Sequence, residues 1–353
     1  MSGQRGGISP IRERATTLII LTLIIAVVAS IGLSESRTLQ VTIVNMLIHV
    51  ILVIGLYVFV GNSGVFSFGH IALMAIGAYT VGVLRIPEAT KSVLFPSLPL
   101  IQIPSTPATI AGGVMAALVA LVIGVPLMRL SGLAAGLGTF ALLSIVYIVA
   151  SNLNPVTGGS TGMAGVPATT TIPTAFVWTI LLLAIAWGFQ QTKVCLQLRA
   201  TREDEVAAQA LGISIMQGRT IAFVVSAFIT GVAGGLFAQF FGTFNPEAFY
   251  LKITFLVVAM LVVGGRASLS GAVVGTFFIS GVTEILRQIE RGISIGAIEM
   301  PGLPGLREVG VALVMLTVLL LRPRGLTGGS EISWNGITRS MRALSARRSK
   351  RAA

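Results

Sequence analysis

The residues of this chain that could do chemistry are concentrated in one charged interior segment. Residues 199–218 carry arginines followed by an acidic run that includes Asp204, the single aspartate among 353 residues. Charge keeps a helix-forming segment in water, and small side chains allow another protein to approach closely. We therefore predict that this docking segment binds a soluble partner. Its predicted contact residues are Arg202, Glu203, Asp204, Glu205, Ala207, Ala208 and Gly212.

Residue types and spacings that serve catalysis are missing from the sequence. The two histidines, His49 and His70, are not in an H-E-x-x-H pattern, and the lone Cys195 leaves no cysteine pair for zinc. Neither a G-x-S-x-G elbow nor a G-x-x-x-x-G-K-S/T phosphate loop occurs. The sequence therefore predicts a chain that is not an enzyme, with no catalytic residue, no metal site and no cofactor of its own. Cys195 is interpreted as an ordinary small residue.

The composition is that of an integral membrane protein. Hydrophobic residues make up 54% of the chain and charged residues 10%, which is too little polar surface to cover a soluble core. Apolar runs that could cross about 30 Å of hydrocarbon as helix recur along the chain. They predict an all-α, polytopic membrane helix bundle with about ten transmembrane or partly re-entrant segments. Their approximate bounds are 17–33, 40–60, 66–84, 108–128, 133–150, 174–191, 219–242, 252–264, 270–288 and 308–321.

The formal net charge of +12 is concentrated at the two ends of the chain. Beside membrane helices, basic ends favour contact with anionic lipid over nucleic acid. By the positive-inside rule, both termini and the docking segment are predicted to be cytoplasmic, and the uncharged segment 151–173 to lie outside. The basic residues are Arg5, Arg12 and Arg14 in front, and Arg339, Arg342, Arg347, Arg348, Lys350 and Arg351 behind.

The predicted organisation has three parts. A basic cytoplasmic N-terminus covers 1–16, a transmembrane domain covers 17–324 and a basic cytoplasmic tail covers 325–353. The first apolar run, 17–33, is long and lacks a clear cleavage site, so we interpret it as a retained helix rather than a secretory signal.

A glycine-rich cluster, GNSGVFSFGH, begins at Gly61 and opens the third apolar run. Its glycines would interrupt a regular helix at membrane depth, where irregular backbone is tolerated only against protein or a wet cavity. One interpretation is a transport path lined by Gly64, Ser67, Gly69 and His70. A tight cytoplasmic turn followed by a closely packed helix fits equally well, and a lone histidine beside a turn is usually structural.

A second cluster, TGGSTG, begins at Thr157 in the uncharged segment. Glycines and hydroxyls could cradle a phosphate, but the spacing and the lysine of a phosphate loop are missing. On the predicted outer side, the cluster is interpreted as an entrance or docking surface formed by Thr157, Gly158, Gly159 and Ser160. A plain flexible loop fits nearly as well.

Two G-x-x-x-G pairs and a glycine-rich turn predict close helix packing, because glycine lets backbones approach each other. The predicted packing residues are Gly231, Gly235, Gly264, Gly265, Gly271 and Gly275.

One acid, Glu284, lies clearly inside a predicted span, near its outer end. Ion-coupled transporters place ionisable groups deep in the membrane. The scarcity of such groups favours an external energy source over an ion gradient. A secondary transporter or channel and a membrane scaffold without transport activity remain as alternatives.

Taken together and in order, these motifs resemble the LivH/LivM family of bacterial branched-chain amino-acid ABC permeases, and in particular its LivM branch. The resemblance covers roughly residues 61–328. It is carried by GNSGVFSFGHIALMAIGAYT from Gly61, LSGLAAGLGTFALLSIV from Leu130, VTGGSTGMAGVP from Val156, REDEVAAQALGI from Arg202, VVGGRASLSGAVVG from Val262 and LRPRGLTG from Leu321.

The resemblance implies an importer subunit in the bacterial inner membrane that pairs with a second, LivH-like permease and with two cytoplasmic ATPase subunits. The ATPase subunits would bind ATP and Mg, and a periplasmic binding protein would deliver a branched-chain or related amino acid. Relatives in this superfamily also carry urea, short amides or aromatic acids, so the resemblance leaves the cargo open.

By the same resemblance, the docking segment is the coupling helix that fits into an ATPase subunit, with the family signature E-A-A-x-x-x-G. Ala207, Ala208 and Gly212 match the signature, but Val206 stands in place of the acid and Glu205 is displaced by one residue. Two further departures are Ala267 and Ala272, where the family has glycine and proline in the run G-G-x-G-S-L-x-G-P. They would slightly alter the start of a helix.

Overall fold

The computed structural model describes residues 10–34, 36–290, 294–295, 298–299 and 305–331, and most of this part is helix. The basic residues Arg5 and 339–351 lie outside the described residues. The α-helices are α1 (Pro10–Ser34), α2 (Arg37–Ser63), α3 (His70–Arg85), α4 (Glu88–Leu94), α5 (Ser105–Leu127), α6 (Gly132–Asn152), α7 (Asn154–Thr157), α8 (Ile172–Gln190), α9 (Lys193–Glu203), α10 (Glu205–Ala210), α11 (Ile215–Phe241), α12 (Leu251–Gly264), α13 (Leu269–Glu290) and α14 (Leu306–Leu321). Short 3-10 helices cover Gly159–Thr161 and Pro246–Phe249, and β1 (Ser294–Ile295) pairs antiparallel with β2 (Ile298–Glu299).

The predicted helical membrane architecture is confirmed, and a helix lies at each of the ten predicted apolar segments. Eight helices of the described chain are long and apolar enough to cross a membrane, and α3 with α4 forms a ninth candidate that is bent by 112°. Helix α14 has 16 residues, or about 24 Å, which is short of about 30 Å of hydrocarbon. By length and composition, the described residues thus hold eight or nine candidate crossing segments, and the figure of about ten transmembrane or partly re-entrant segments stays a prediction.

Helices α2 and α11 form the centre of the bundle. Nearly every residue of α2 from Leu47 onward is buried, and α11 packs against α2, α3 and α5. The surrounding helices expose large apolar side chains, such as Val122 at 74% and Leu133 at 81% of their surface. Lipid tails solvate such side chains, so an apolar exterior is stable in a membrane.

Glycines bring α3, α5 and α11 into backbone contact. A β-carbon on Gly77 would lie 2.1 Å from the carbonyl oxygen of Gly231, and one on Gly234 would lie 1.9 Å from the carbonyl oxygen of Met74. Only glycine permits such an approach, and close packing of this kind supplies much of the attraction between helices in lipid.

The loops lie at two ends of the bundle, and α3 runs from one end to the other. At the docking end, the carboxyl end of α2 meets the docking segment and the turn that joins α12 to α13. At the loop end, Met163 N donates to Phe244 O at 2.8 Å and Phe244 N donates to Met163 O at 3.0 Å. Gly82, near the carboxyl end of α3, packs against Met163. The docking segment and the second glycine cluster thus lie at opposite ends.

Candidate functional site

The docking segment is two helices joined by one capping residue. Helix α9 ends at Glu203 and α10 begins at Glu205. Between them, Asp204 Oδ1 accepts hydrogen bonds from Val206 N and Ala207 N, both at 2.9 Å. Because an aspartate at this position satisfies free amides of the first helical turn, Asp204 allows one helix to follow the other directly.

Gly212 ends the second of these helices. Its φ of +78° lies in the left-handed region, and Ile213 N donates to Ala208 O at 3.1 Å. This is the usual helix ending that glycine makes possible. The glycine of the family signature therefore sets where α10 stops.

Helix α10 and the residue after it expose two large apolar side chains beside polar ones. Val206 is 78% exposed and Leu211 is 81% exposed, and Ala207 is also exposed, whereas Ala208 is 3% exposed and faces the protein body. These two side chains are therefore the candidate apolar contacts for another protein on this segment. Of the predicted contact residues, Ala208 is thus buried and not accessible to a partner. Val206 and Leu211, which were not among the predicted contacts, are accessible.

The other face of the docking segment is anchored to the membrane helices. Arg202 Nη1 donates to Gly61 O at 2.8 Å, and a β-carbon on Gly64 would lie 2.5 Å from Arg202 Cγ. Glu205 forms a salt bridge with Arg219 at the start of α11. The anchors join the segment to α2 and α11, the two central helices.

The side chains of Ser67 and His70 form a buried pair between α2 and α3. Ser67 Oγ and His70 Nδ1 are 2.8 Å apart, and both residues are 2% exposed. The His70 ring lies 5.6 Å from the rings of Phe59 and Phe223. In this conformation the pair is enclosed by aromatic side chains and lines no open path.

The backbone between α2 and α3 packs against α6. Phe68 N donates to Thr139 Oγ1 at 3.1 Å, and a β-carbon on Gly69 would lie 2.8 Å from Thr139 O. The irregular backbone at this point is therefore covered by protein, as membrane depth requires.

The second glycine cluster is a folded turn at the loop end. Thr157 Oγ1 donates to Ala150 O at 2.6 Å and accepts from Gly159 N at 3.2 Å. Gly158 and Gly159 have φ values of +76° and +59°, which favour glycine. Ser160 is exposed at the tip. The turn presents hydroxyl and backbone groups and carries no charge.

A cavity of about 700 Å³, which is open along one side, lies beside this turn between α3, α5 and α6. Its walls are almost entirely aliphatic, with hydroxyls supplied by a tyrosine and two threonines. Such a cavity fits an aliphatic group, since binding pockets are largely apolar with a few placed polar groups. Among its lining residues are Tyr79, Thr80, Val114, Leu118, Val149 and Thr157.

The predicted packing glycines lie at close contacts. A β-carbon on Gly264 would lie 1.9 Å from Gly271 O, one on Gly275 would lie 2.5 Å from Gly264 Cα, and one on Gly231 would lie 2.9 Å from Gly112 O. Each of the six has a neighbouring atom within 3.0 Å of such a β-carbon. The six are Gly231, Gly235, Gly264, Gly265, Gly271 and Gly275.

Glu284, the acid inside a predicted span, is already engaged. Arg287 Nη2 donates to its carboxylate at 2.6 Å, and Thr42 Oγ1 donates to it at 3.3 Å. A carboxylate held by a cation one helical turn away serves helix stability. Glu284 is therefore not an isolated acid of the kind that an ion-coupled transporter uses.

Sequence reasoning missed a polar group at the docking end. Gln190 Nε2 donates to Tyr57 Oη at 2.6 Å, and Arg199 Nη2 donates to the same oxygen at 3.2 Å. Tyr57 is 0% exposed and Gln190 is 8% exposed. The available signal was a polar side chain in the last turns of an apolar helix, which hydrophobic periodicity does not register.

These observations define the class first: a multi-pass α-helical membrane protein with an anchored docking segment at one end. Comparison with known sequences then shows the family. Residues 38–321 match the family described as branched-chain amino acid transport system / permease component. The chain belongs to this family, so the resemblance predicted from its motifs is confirmed, and it is a multi-pass inner-membrane protein.

Its relatives include permeases with different names. The high-affinity branched-chain amino acid transport system permease protein LivM of Escherichia coli strain K12 is 26% identical over 88% of this chain and 74% of its own. The probable branched-chain amino acid transport permease protein LivH of Methanocaldococcus jannaschii is 30% identical over 46% of this chain and 49% of its own. The autoinducer 2 import system permease protein LsrC of Klebsiella pneumoniae is 27% identical over 32% of this chain and 35% of its own. No solved structure gives a significant match.

Proposed function

We propose that this chain is the permease subunit of an ABC importer that moves a branched-chain or related amino acid inward by ATP-driven alternating access. The observation that carries the proposal is the docking segment, which exposes the side chains of Val206 and Leu211 and is anchored to α2 and α11. A separate ATPase can move the bundle only through a segment that it can bind and that is fixed to the membrane helices. The docking segment has both properties.

The motor is proposed to be supplied by other chains. This sequence lacks a phosphate-binding loop, so two cytoplasmic ATPase subunits would bind ATP and Mg and dock on the segment. A second, LivH-like permease would complete the membrane part, and a periplasmic binding protein would deliver the substrate. The basic termini would contact anionic lipid.

The docking end is proposed to face the cytoplasm. The docking segment must meet ATPase subunits there, and the uncharged turn from Thr157 to Ser160 would then face the periplasm. That turn lies beside the aliphatic cavity, so a substrate released by the binding protein would reach the cavity first.

The proposed cargo rests on the relatives and on the cavity walls. LivM and LivH relatives carry branched-chain amino acid transport in their names, and the aliphatic cavity of about 700 Å³ has room for a branched side chain. The LsrC relative is named for autoinducer 2 import. A permease of the same family for another small solute, such as urea, an amide or an aromatic acid, is therefore the alternative cargo assignment.

An ATP-independent transporter is the alternative mechanism. It would need an ionisable group free to load and release an ion. Glu284 does not meet this need, because Arg287 and Thr42 occupy its carboxylate. The engagement of Glu284 favours the ATP-driven mechanism.

Reconstitution tests the proposal. The chain is assembled in liposomes with its candidate permease and ATPase partners, and uptake of radiolabelled leucine, delivered by the binding protein, is measured. We expect uptake that requires ATP and the ATPase subunits. Uptake by this chain at the same rate without those subunits, driven by a proton or sodium gradient, would overturn the ABC mechanism.

A further inference from the structure

The carboxylate of Glu331 caps the amino end of α13. It accepts hydrogen bonds from Leu269 N at 2.8 Å, Ser270 N at 3.0 Å and Ser270 Oγ at 2.8 Å. Ser268 Oγ accepts the next amide, Gly271 N, at 3.0 Å. The amino end of a helix carries free donors and a partial positive charge. A carboxylate there holds the start of α13 to the segment that carries Glu331.

That segment is the turn after α14, which packs on the junction of α12 and α13. Leu326 N donates to Val263 O at 2.8 Å, and Thr327 N donates to Gly264 O at 3.1 Å. Thr327 Oγ1 and Ser268 Oγ are 3.0 Å apart. Residues 325–331 are thus fastened to the membrane helices along their length.

The same carboxylate is connected to the docking segment. Gln190 Nε2 donates to Tyr57 Oη at 2.6 Å and to Glu331 Oε1 at 3.4 Å. Arg199, on α9, donates through Nη2 to Tyr57 Oη at 3.2 Å and through Nε to Asn62 Oδ1 at 2.8 Å. A continuous set of hydrogen bonds therefore runs from Arg199 through Tyr57 and Gln190 to Glu331 and the start of α13.

This polar set joins α9 and α13, which share only α2 among their chief packing partners. Helix α9 packs chiefly on α2, α8, α10 and α11, whereas α13 packs chiefly on α2, α12 and α14. Movement of the docking segment can reach α2 and α11 through direct contacts. Tyr57 is itself a residue of α2, so the hydrogen bonds through Tyr57, Gln190 and Glu331 add a polar connection to α13 beside the packing that both helices share on α2.

We propose that Tyr57, Gln190 and Glu331 form a latch that makes α13 follow the docking segment during the transport cycle. The inference rests on the proposed function, because it assigns a role only if a motor displaces the segment. The three residues are positioning residues that act through α13. Hydrogen bonds in such a network strengthen one another and favour one arrangement, which suits a connection between moving parts.

The test uses the complete complex in liposomes, with radiolabelled leucine as the transported probe. Tyr57→Phe removes one hydroxyl and keeps the ring, and Glu331→Gln places an amide group where the donors of α13 need acceptors. Each variant should still co-purify with the ATPase subunits and hydrolyse ATP. The ratio of leucine transported to ATP hydrolysed should fall about fivefold, the lower end of typical coupling effects.

Tyr147→Phe is the matched control, because it removes the same atom from a tyrosine that is stacked on Tyr250 outside the latch. It should leave the ratio unchanged. A normal ratio in both latch variants overturns the latch while the importer stands, and so does an equal fall in Tyr147→Phe. Loss of assembly in both latch variants assigns the group a purely structural role and also overturns the latch. ATP-independent uptake by the unsubstituted complex overturns the proposed function itself.

Discussion

The carboxylate of Glu205 and the guanidinium of Arg219 form a salt bridge between the docking segment and the second turn of α11. The Arg219 side chain is 4% exposed and that of Glu205 is 44% exposed. Glu205 is the acid that is displaced by one residue from the family signature. Its displacement turns it toward the bundle, where it fixes the segment to a central helix.

The two partners of this salt bridge should respond unequally to substitution. Glu205→Gln leaves a buried arginine without its counter-charge and should destabilise the protein by about 1–3 kcal/mol. Arg219→Met leaves a carboxylate that water can reach, so its cost should be smaller. The double variant should recover part of the loss, measured by thermal unfolding in detergent. Strictly additive costs would show that the two side chains are not coupled.

Ala208 in α10 and Leu211 directly after that helix should give opposite phenotypes when each is changed to arginine. Leu211 is exposed, so Leu211→Arg should leave folding intact and weaken co-purification with the ATPase subunits about tenfold or more, since burial of a leucine contributes about 1.5–3 kcal/mol. Ala208 is buried, so Ala208→Arg should lower stability and the amount of protein in the membrane. Normal co-purification of Leu211→Arg would remove the docking face from the proposed function.

The two ends of the bundle should be accessible from opposite sides of the membrane. In a Cys195→Ala background, Ser160→Cys should react with a membrane-impermeant thiol reagent added outside, and Gln209→Cys should react only after permeabilisation. The buried position of Cys195, 0% exposed, keeps background labelling low even before its replacement. The reverse pattern would invert the proposed orientation.

The purified chain alone should neither bind nor hydrolyse ATP, because its sequence has no phosphate-binding loop. Nucleotide binding and phosphate release by the isolated, homogeneous protein are the measurements. ATP hydrolysis that persists after removal of contaminating ATPases would contradict both this prediction and the need for motor subunits.

A methyl group should be harmful at one glycine and harmless at another. Gly77→Ala would place a β-carbon 2.1 Å from Gly231 O and should destabilise the protein by about 1–3 kcal/mol through overpacking. Gly188 lies within α8 and no atom approaches its β-carbon position within 4 Å. Gly188→Ala should therefore be neutral or stabilising by up to about 1 kcal/mol. Equal thermal stability of the two variants would show that α3 and α11 are not held by this contact.

Much of the fold was readable from the sequence because lipid imposes local requirements. A helix must satisfy its own backbone and be long enough to cross, so apolar length located a helix at each predicted segment. Length alone did not decide the number of crossings. The bend between α3 and α4 reflects loop and packing geometry, which apolar length does not encode.

The sequence by itself also located the docking segment, since a charged run between apolar helices must lie outside the hydrocarbon. Only the tertiary structure decided that Ala208 faces inward and Leu211 outward. The sequence of a helix as short as α10 does not determine its orientation. That orientation is set by the hydrogen bond from Arg202 to Gly61 and by the salt bridge between Glu205 and Arg219.

The polar group of Tyr57, Gln190 and Glu331 shows the same division most clearly. Each residue alone is an ordinary polar side chain at the end of an apolar helix or after one. Gln190 and Glu331 are 141 positions apart in the sequence. Their hydrogen bond forms only when α8, α13 and the final turn pack together. Local sequence patterns determine elements, whereas contacts between distant elements depend on how their whole surfaces fit.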